Sequence, residues 1–246
     1  MDASLTPERE LSLAQSTRQI EAELQALGLQ SRLRTLGNRV VSVQAEIGDS
    51  RRKALGCGKG YAEQARVGAL YEALEHYLSD PDLTTGVTLA TPTDLSAGTG
   101  KDDLLETLRD QPDRQIACRS YTALNDGASF LYPVALTMPR YANDPVPDVR
   151  FEPDHLLDTR PQEIITLPKT VEARPLKAQI RQLADDLQQH GHVAGVSTLY
   201  RSEVGTALVN VVVPGLERFY IVSSGNVVVP MARGRQRALA GTAAHA

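Results

Sequence analysis

The apolar positions along the chain fall into segments of helical and of extended period. Ala62, Ala65, Ala69, Leu70, Ala73, Leu74 and Tyr77 recur at spacings of three and four, the pattern of an amphipathic helix. No proline interrupts this run, and alanine and leucine are strong helix formers. A second helix is expected over residues 7–27, capped by Thr6, with Glu8 and Glu10 at its positive end and Gly28 closing it. A third is expected over 176–189, where Ile180, Leu183, Ala184 and Leu187 keep helical spacing and Gly191 ends the run. A short helix is read over 104–109. Extended segments are read at 39–45, at 119–122 and 129–134 around the turn Asn125-Asp126-Gly127, and at 193–201. The continuous apolar run 207–213 reads as a buried strand, and 219–222 and 227–229 as strands that close the sheet. Helices and strands mix without a regular βαβ repeat, so the expected class is α+β, with mixed sheets packed against helices. Residues 1–238 read as one domain with a helical part (1–35), a first half (36–140), a proline-rich acidic connection (141–175) and a C-terminal half (176–238). Residues 239–246 read as a disordered tail.

Composition narrows the functional classes. The 246 residues carry a net charge of −4 and only 4% aromatics, with no tryptophan. That balance argues against a nucleic-acid partner, which calls for a basic surface and stacking platforms. No apolar run approaches the length of a membrane span, and the charged first residues do not resemble a signal peptide. Two cysteines, Cys57 and Cys118, supply no disulfide framework, which fits a reduced, cytoplasmic setting. Cys57 lies beside Lys59 but has no identifiable partner base, so no catalytic residue is singled out. His190 and His192 flank Gly191 and read as a surface turn. The string around Lys101 lacks the first glycine of a phosphate loop and has Asp102 after the lysine, so it is rejected as one.

The chemistry concentrates in GCGKGYAEQARVGALYEALEHYLS, residues 56–79. A glycine-rich turn carrying Lys59 is expected to lead into the helix that presents Glu72 and Glu75. Backbone amides at such a helix start favour phosphate, and Mg²⁺ is held by one or two carboxylates together with phosphate oxygens. Glu72 and Glu75 are three apart, so they share a face, about 5–6 Å from each other at Cβ, with Gly68 one turn earlier. The alternative is a solvated acidic face, with Gly68 as a packing residue. Likewise, Arg51, Arg52 and Lys53 read either as a solvated loop or as an electropositive rim for phosphate or an acidic leader peptide.

This segment resembles the YcaO family, in the glycine-lysine-glycine of Gly58, Lys59 and Gly60 and in Glu72, Ala73, Leu74, Glu75 and Tyr77. His76 stands where that family has arginine, and Gly68 where it has serine. LYPVALTMPRY (131–141), VNVVVPGLERF (209–219) and MARGRQRA near the end resemble later family segments. The resemblance implies Mg-ATP chemistry on a peptide amide, giving azolines, thioamides or amidines. It assigns Gly58, Lys59, Gly60 and Gly68 to the nucleotide, and Glu72 and Glu75 to the metal. The family's second helix, which provides further magnesium carboxylates and a phosphate arginine, has no counterpart here; a proline-rich stretch stands in its place. The resemblance therefore implies a truncated subunit that modifies a ribosomally made precursor peptide. It would act beside a flavin-dependent dehydrogenase or another peptide-modifying subunit, with FMN arriving only through that partner, or as a homodimer. A second reading is an ATP-dependent cyclodehydratase with a minimal site, further ligands coming from Glu203, Glu217 or a neighbouring subunit. A third is a non-catalytic peptide-binding or regulatory protein.

Overall fold

The computed structural model describes residues 10–79, 86–95, 111–137, 175–216, 219–222 and 227–230. The helix α1 spans Leu13–Ala26 and is capped by Ser12, whose side chain accepts from the Gln15 amide while the Gln15 side chain reaches back to the Ser12 amide. That reciprocal cap satisfies two otherwise orphaned amides. It corrects the expected start near Pro7: residues 10–12 are not helical, and Thr6 lies outside the described residues.

Three antiparallel strands follow: β1 (Gln30–Leu36), β2 (Val41–Gly48) and β3 (Lys53–Gly60), in the order β1-β2-β3. Helix α2 (Ala62–Leu78) lies on this sheet. Val41, Val43, Ala45 and Ile47 alternate toward it, and Ala65, Ala69, Leu70, Ala73, Leu74 and Tyr77 meet them together with Ile20 and Leu24 of α1. The helical period of α2 is therefore the period of its buried face.

The second layer begins with β4 (Val87–Ala90) and the single turn α3 (Pro92–Leu95). Strand β5 (Ile116–Ala123) pairs with β4 through its first half, with β6 (Ser129–Pro133), and with β7 (Gly195–Arg201) through Thr122 and Ala123. A 3-10 turn over Val134–Leu136 follows β6. Helix α4 (Leu176–Gln189) precedes β7, and β8 (Ala207–Val212) completes this sheet. Its core is built on Tyr121, with the Phe130 ring stacked at 5.8 Å and the Tyr132 ring edge-on at 6.3 Å.

The α+β class is as expected, and the strands differ from expectation in several places. The run at 207–213 is not a buried strand: Val209 and Val211 are 47% and 57% exposed, and Val212 is buried. Its valines alternate between two faces, and among the described residues nothing covers one of them. Strands β9 (Phe219–Val222) and β10 (Val227–Pro230) pair with each other as a separate hairpin, so they do not close the larger sheet. The β1 and β4 strands follow no strong apolar alternation and were not expected. The predicted helix at 104–109, most of the connection at 141–175 and the tail at 239–246 lie outside the described residues.

Candidate functional site

The largest correction falls on the glycine-lysine segment. Gly56, Cys57, Gly58 and Lys59 belong to strand β3, and the bend is confined to Gly60 and Tyr61. Gly60 has φ = 133°, a conformation that glycine tolerates and L side chains rarely adopt. The other glycines answer to packing. A Cβ on Gly58 would lie 2.7 Å from the Ala65 carbonyl carbon and 2.8 Å from the Ala69 nitrogen. A Cβ on Gly56 would lie 2.9 Å from Cα of Ala73. Thus Gly56 and Gly58 let the backbone of α2 sit directly on β3, opposite the small residues Ala65, Ala69 and Ala73. Side chains alternate across a strand, so Lys59 emerges on the face away from α2, where it is exposed.

Helix α2 also serves the edge of β3. The Cys57 amide donates to Oε2 of Glu72 at 3.0 Å. Two residues back on the same edge, the Leu55 carbonyl accepts from Nδ1 of His76 at 2.5 Å. Glu72 and His76 are four apart and so stack on one helix face. Together they satisfy an outward amide and an outward carbonyl that the order β1-β2-β3 leaves without a strand partner. Glu72 is half-buried, whereas Glu75 is exposed.

Gly68 differs from the strand glycines. It is exposed in the middle of α2, and a Cβ there would meet nothing within 4 Å. Among the described residues, no packing contact accounts for Gly68. Gly68, Glu72 and Glu75 form a stripe with open space at its glycine end. Oε1 of Glu72 and the Glu75 carboxylate are the groups on this stripe that could hold a cation. Among the described residues, no group of three or more His, Cys, Asp or Glu side chains gathers in metal-binding geometry. Glu203 is exposed in the turn between β7 and β8, and Glu217 lies outside the described residues.

The basic run before the strand has structural work to do. The Arg52 guanidinium lies 5.2 Å from the Tyr77 ring centroid, and Lys53 pairs with Glu46 at 2.8 Å. Asp49 accepts from the Arg51 and Arg52 amides and from the Tyr77 hydroxyl. The Arg52 and Arg51 amides, followed by that hydroxyl, hold the Asp49 carboxyl below its ordinary range. His190 and His192 face the backbone carbonyls of Asp186 and Pro214, as expected of a helix-end turn. Cys57 is exposed and Cys118 buried, and neither forms a disulfide.

One cluster was not anticipated. Glu23 of α1 is fully buried and accepts from the Tyr200 hydroxyl at 2.6 Å and the Ser202 hydroxyl at 2.5 Å. Burial pushes its pKa up, but the hydroxyls of Ser202, Tyr200 and Thr206 outweigh this and leave it below the ordinary value. Thr206 contributes by proximity, since its hydroxyl forms no hydrogen bond of full geometry. Burial, the hydrogen bond to Glu23 and the charge of Glu23 push the Tyr200 pKa up to about 12. The cluster ties α1 of the first layer to the β7–β8 hairpin of the second. Its sequence signal is a glutamate between Ile20 and Leu24, on the apolar face of α1.

No family model matches the chain, and no curated protein matches it. A solved structure described as a heterocyclase in complex with substrate and cofactor is similar in fold, with a TM-score of 0.57 at 12% identity. The likeness covers 96% of this chain and 58% of the other. The chain therefore has a heterocyclase-like α+β fold and spans a little over half the length of that neighbour. No helix among the described residues is long and apolar enough to cross a membrane.

Proposed function

We propose that the chain is a YcaO-like component of a system that modifies the backbone of a ribosomally made peptide, working with a partner subunit in the cytoplasm. The observation that carries this reading is the heterocyclase-like fold, running along almost the whole chain. The stripe on α2 adds chemical support. An exposed mid-helix glycine costs about 1 kcal/mol relative to alanine, and among the described residues no neighbour within 4 Å accounts for Gly68. A ligand passing close to the helix would account for it.

In this reading the stripe is half of a site. Glu72 and Glu75 offer carboxylates to the magnesium of ATP, Gly60 ends the strand just before this helix, and the partner contributes the remaining ligands; Lys59, on the far face of β3, is not among them. The nucleotide would supply phosphoryl activation of a peptide amide oxygen. The part of this chain is to hold charge at Glu72 and Glu75 and to leave Gly68 clear. Glu72 is suited to such a role because its Oε2 is anchored on the Cys57 amide, which fixes the direction of Oε1. A flavin-dependent dehydrogenase is the partner class that would carry FMN.

The test combines calorimetry with mass spectrometry. The isolated chain is titrated with Mg-ATP, and the chain with its candidate partner is incubated with precursor peptide and Mg-ATP. The expected result is weak or no nucleotide binding alone, and loss of water from the peptide only when both proteins are present. Tight Mg-ATP binding by the chain alone would overturn the divided site. An unaltered peptide mass with every component present would overturn the peptide-modifying reading.

A further inference from the structure

The two edges of the first sheet are treated differently. The edge of β3 is covered by Glu72 and His76 from α2. At the other edge, among the described residues, β1 pairs with β2 alone. All seven residues of β1 are exposed, including Leu33 at 41% and Leu36 at 57%. Its register runs unbroken from Gln30 opposite Gly48 to Leu36 opposite Ser42, so no bulge turns the edge away. Nor does β1 contain a proline. A long regular edge of this kind is a template for another strand.

Charge selects the occupant. Arg32, Arg34 and Leu36 share the sheet face away from α2, since Leu33 lies opposite the buried Ala45. The same face carries Lys53 and Lys59, and its one carboxylate, Glu46, is already held by Lys53. Four cations therefore stand against one anion. A second copy of the chain pairing antiparallel about Leu33 would set the arginines of one copy directly against those of the other. Like charges so placed are destabilising.

We propose that β1 is the docking edge for an extended acidic peptide, which adds as a further strand of the β1-β2-β3 sheet. Carboxylates at alternate positions lie opposite Arg32 and Arg34, and the apolar residue between them lies opposite Leu33. Main-chain hydrogen bonds supply sequence-independent affinity, and the alternating positions supply the preference. The inference rests on the reading of the substrate as a peptide and names where that peptide is held. It lies outside the α2 stripe, so docking and chemistry can fail separately.

The probe is a fluorescein-labelled peptide with four glutamates alternating with three valines, flanked by Gly-Ser pairs. Its control carries lysine in place of glutamate. Fluorescence anisotropy is read with the full chain and with the double variant Arg32→Glu/Arg34→Glu, whose folding is verified by circular dichroism. The acidic peptide is expected to bind the native chain, and to bind the double variant about fivefold or more weakly, from the loss of two cross-strand charge pairs. The lysine peptide is expected to show the opposite preference. Hydrogen exchange should slow over residues 30–36 on binding. No binding of the acidic peptide, equal binding of both peptides, an unchanged affinity in the double variant, or protection elsewhere would each overturn the proposal. So would sedimentation showing a dimer that the double variant disrupts. A precursor peptide that is modified although the acidic probe does not bind would sink the docking edge and leave the peptide-modifying reading standing. Binding at β1 with no modification of any precursor would do the reverse.

Discussion

Replacing Gly58 with alanine separates the two roles that a glycine in this segment can have. The added Cβ would sit 2.7 Å from the Ala65 carbonyl carbon and 2.8 Å from the Ala69 nitrogen. Carbon pairs rest at about 3.5–4.0 Å and the Ala65 carbonyl oxygen lies nearer still, so α2 must retreat from β3 by more than roughly 1 Å. The obstructing atoms are backbone, and no rotamer change relieves them. Overpacking a tight interface costs about 1–3 kcal/mol, occasionally more, and the displacement of a whole helix places Gly58→Ala at about 3 kcal/mol. With a urea m-value of about 3 kcal/mol/M, the unfolding midpoint falls by about 1 M. Gly68→Ala is the internal control. It sits in the same helix with nothing within 4 Å of the new Cβ, so it should stabilise by about 0.8–1 kcal/mol through helix propensity. Urea unfolding followed by circular dichroism measures both. A Gly58→Ala midpoint within 0.2 M of the native value, or a destabilised Gly68→Ala, would refute the packing argument for β3 and α2.

Three further outcomes are expected. Glu72→Ala removes the cap on the Cys57 amide and should cost about 1 kcal/mol or less, because water can replace the lost acceptor at that exposed edge; a cost above about 3 kcal/mol in urea unfolding would argue against this. Glu23 has a lowered folded pKa, so its contribution to stability is present above the ordinary carboxylate value and is lost as pH falls through the folded value. Glu23→Gln should flatten stability against pH below about 4.5 and lower it at neutral pH by about 1–3 kcal/mol, as the pairing of Tyr200 and Ser202 is degraded; an unchanged acid limb in pH-dependent thermal melts would contradict it. Tyr200 has a folded pKa raised to about 12, so its contribution is intact below the ordinary tyrosine value and is lost as pH rises through the folded one. Tyr200→Phe should delete the latest step in a tyrosinate absorbance titration, and retention of that step would reassign it.

Sequence pattern and tertiary structure contributed different parts of this picture. The helical period of Ala65, Ala69, Ala73 and Tyr77 sufficed to define α2, because one face of a helix repeats every 3.6 residues whatever it packs against. For the same reason the bounds of α4 were legible, and the turn at Asn125-Asp126-Gly127 was legible from its residue types. The stripe of Gly68, Glu72 and Glu75 could also be read from spacing alone. The role of the glycines could not. Glycine signals a bend or a close approach with equal force, and the opposing backbone of α2 decides for close approach at Gly56 and Gly58. Strand β1 escaped notice because all seven of its residues are exposed, so burial imposed no alternation on them. The buried Glu23 needed Tyr200 and Ser202, some 180 residues distant, to be brought to it. Local pattern reports the period of an element, whereas the partner of each side chain is set by long-range packing. That is why the chain announced α2, α4 and its acidic stripe, and only the folded arrangement revealed which edge is covered and which is open.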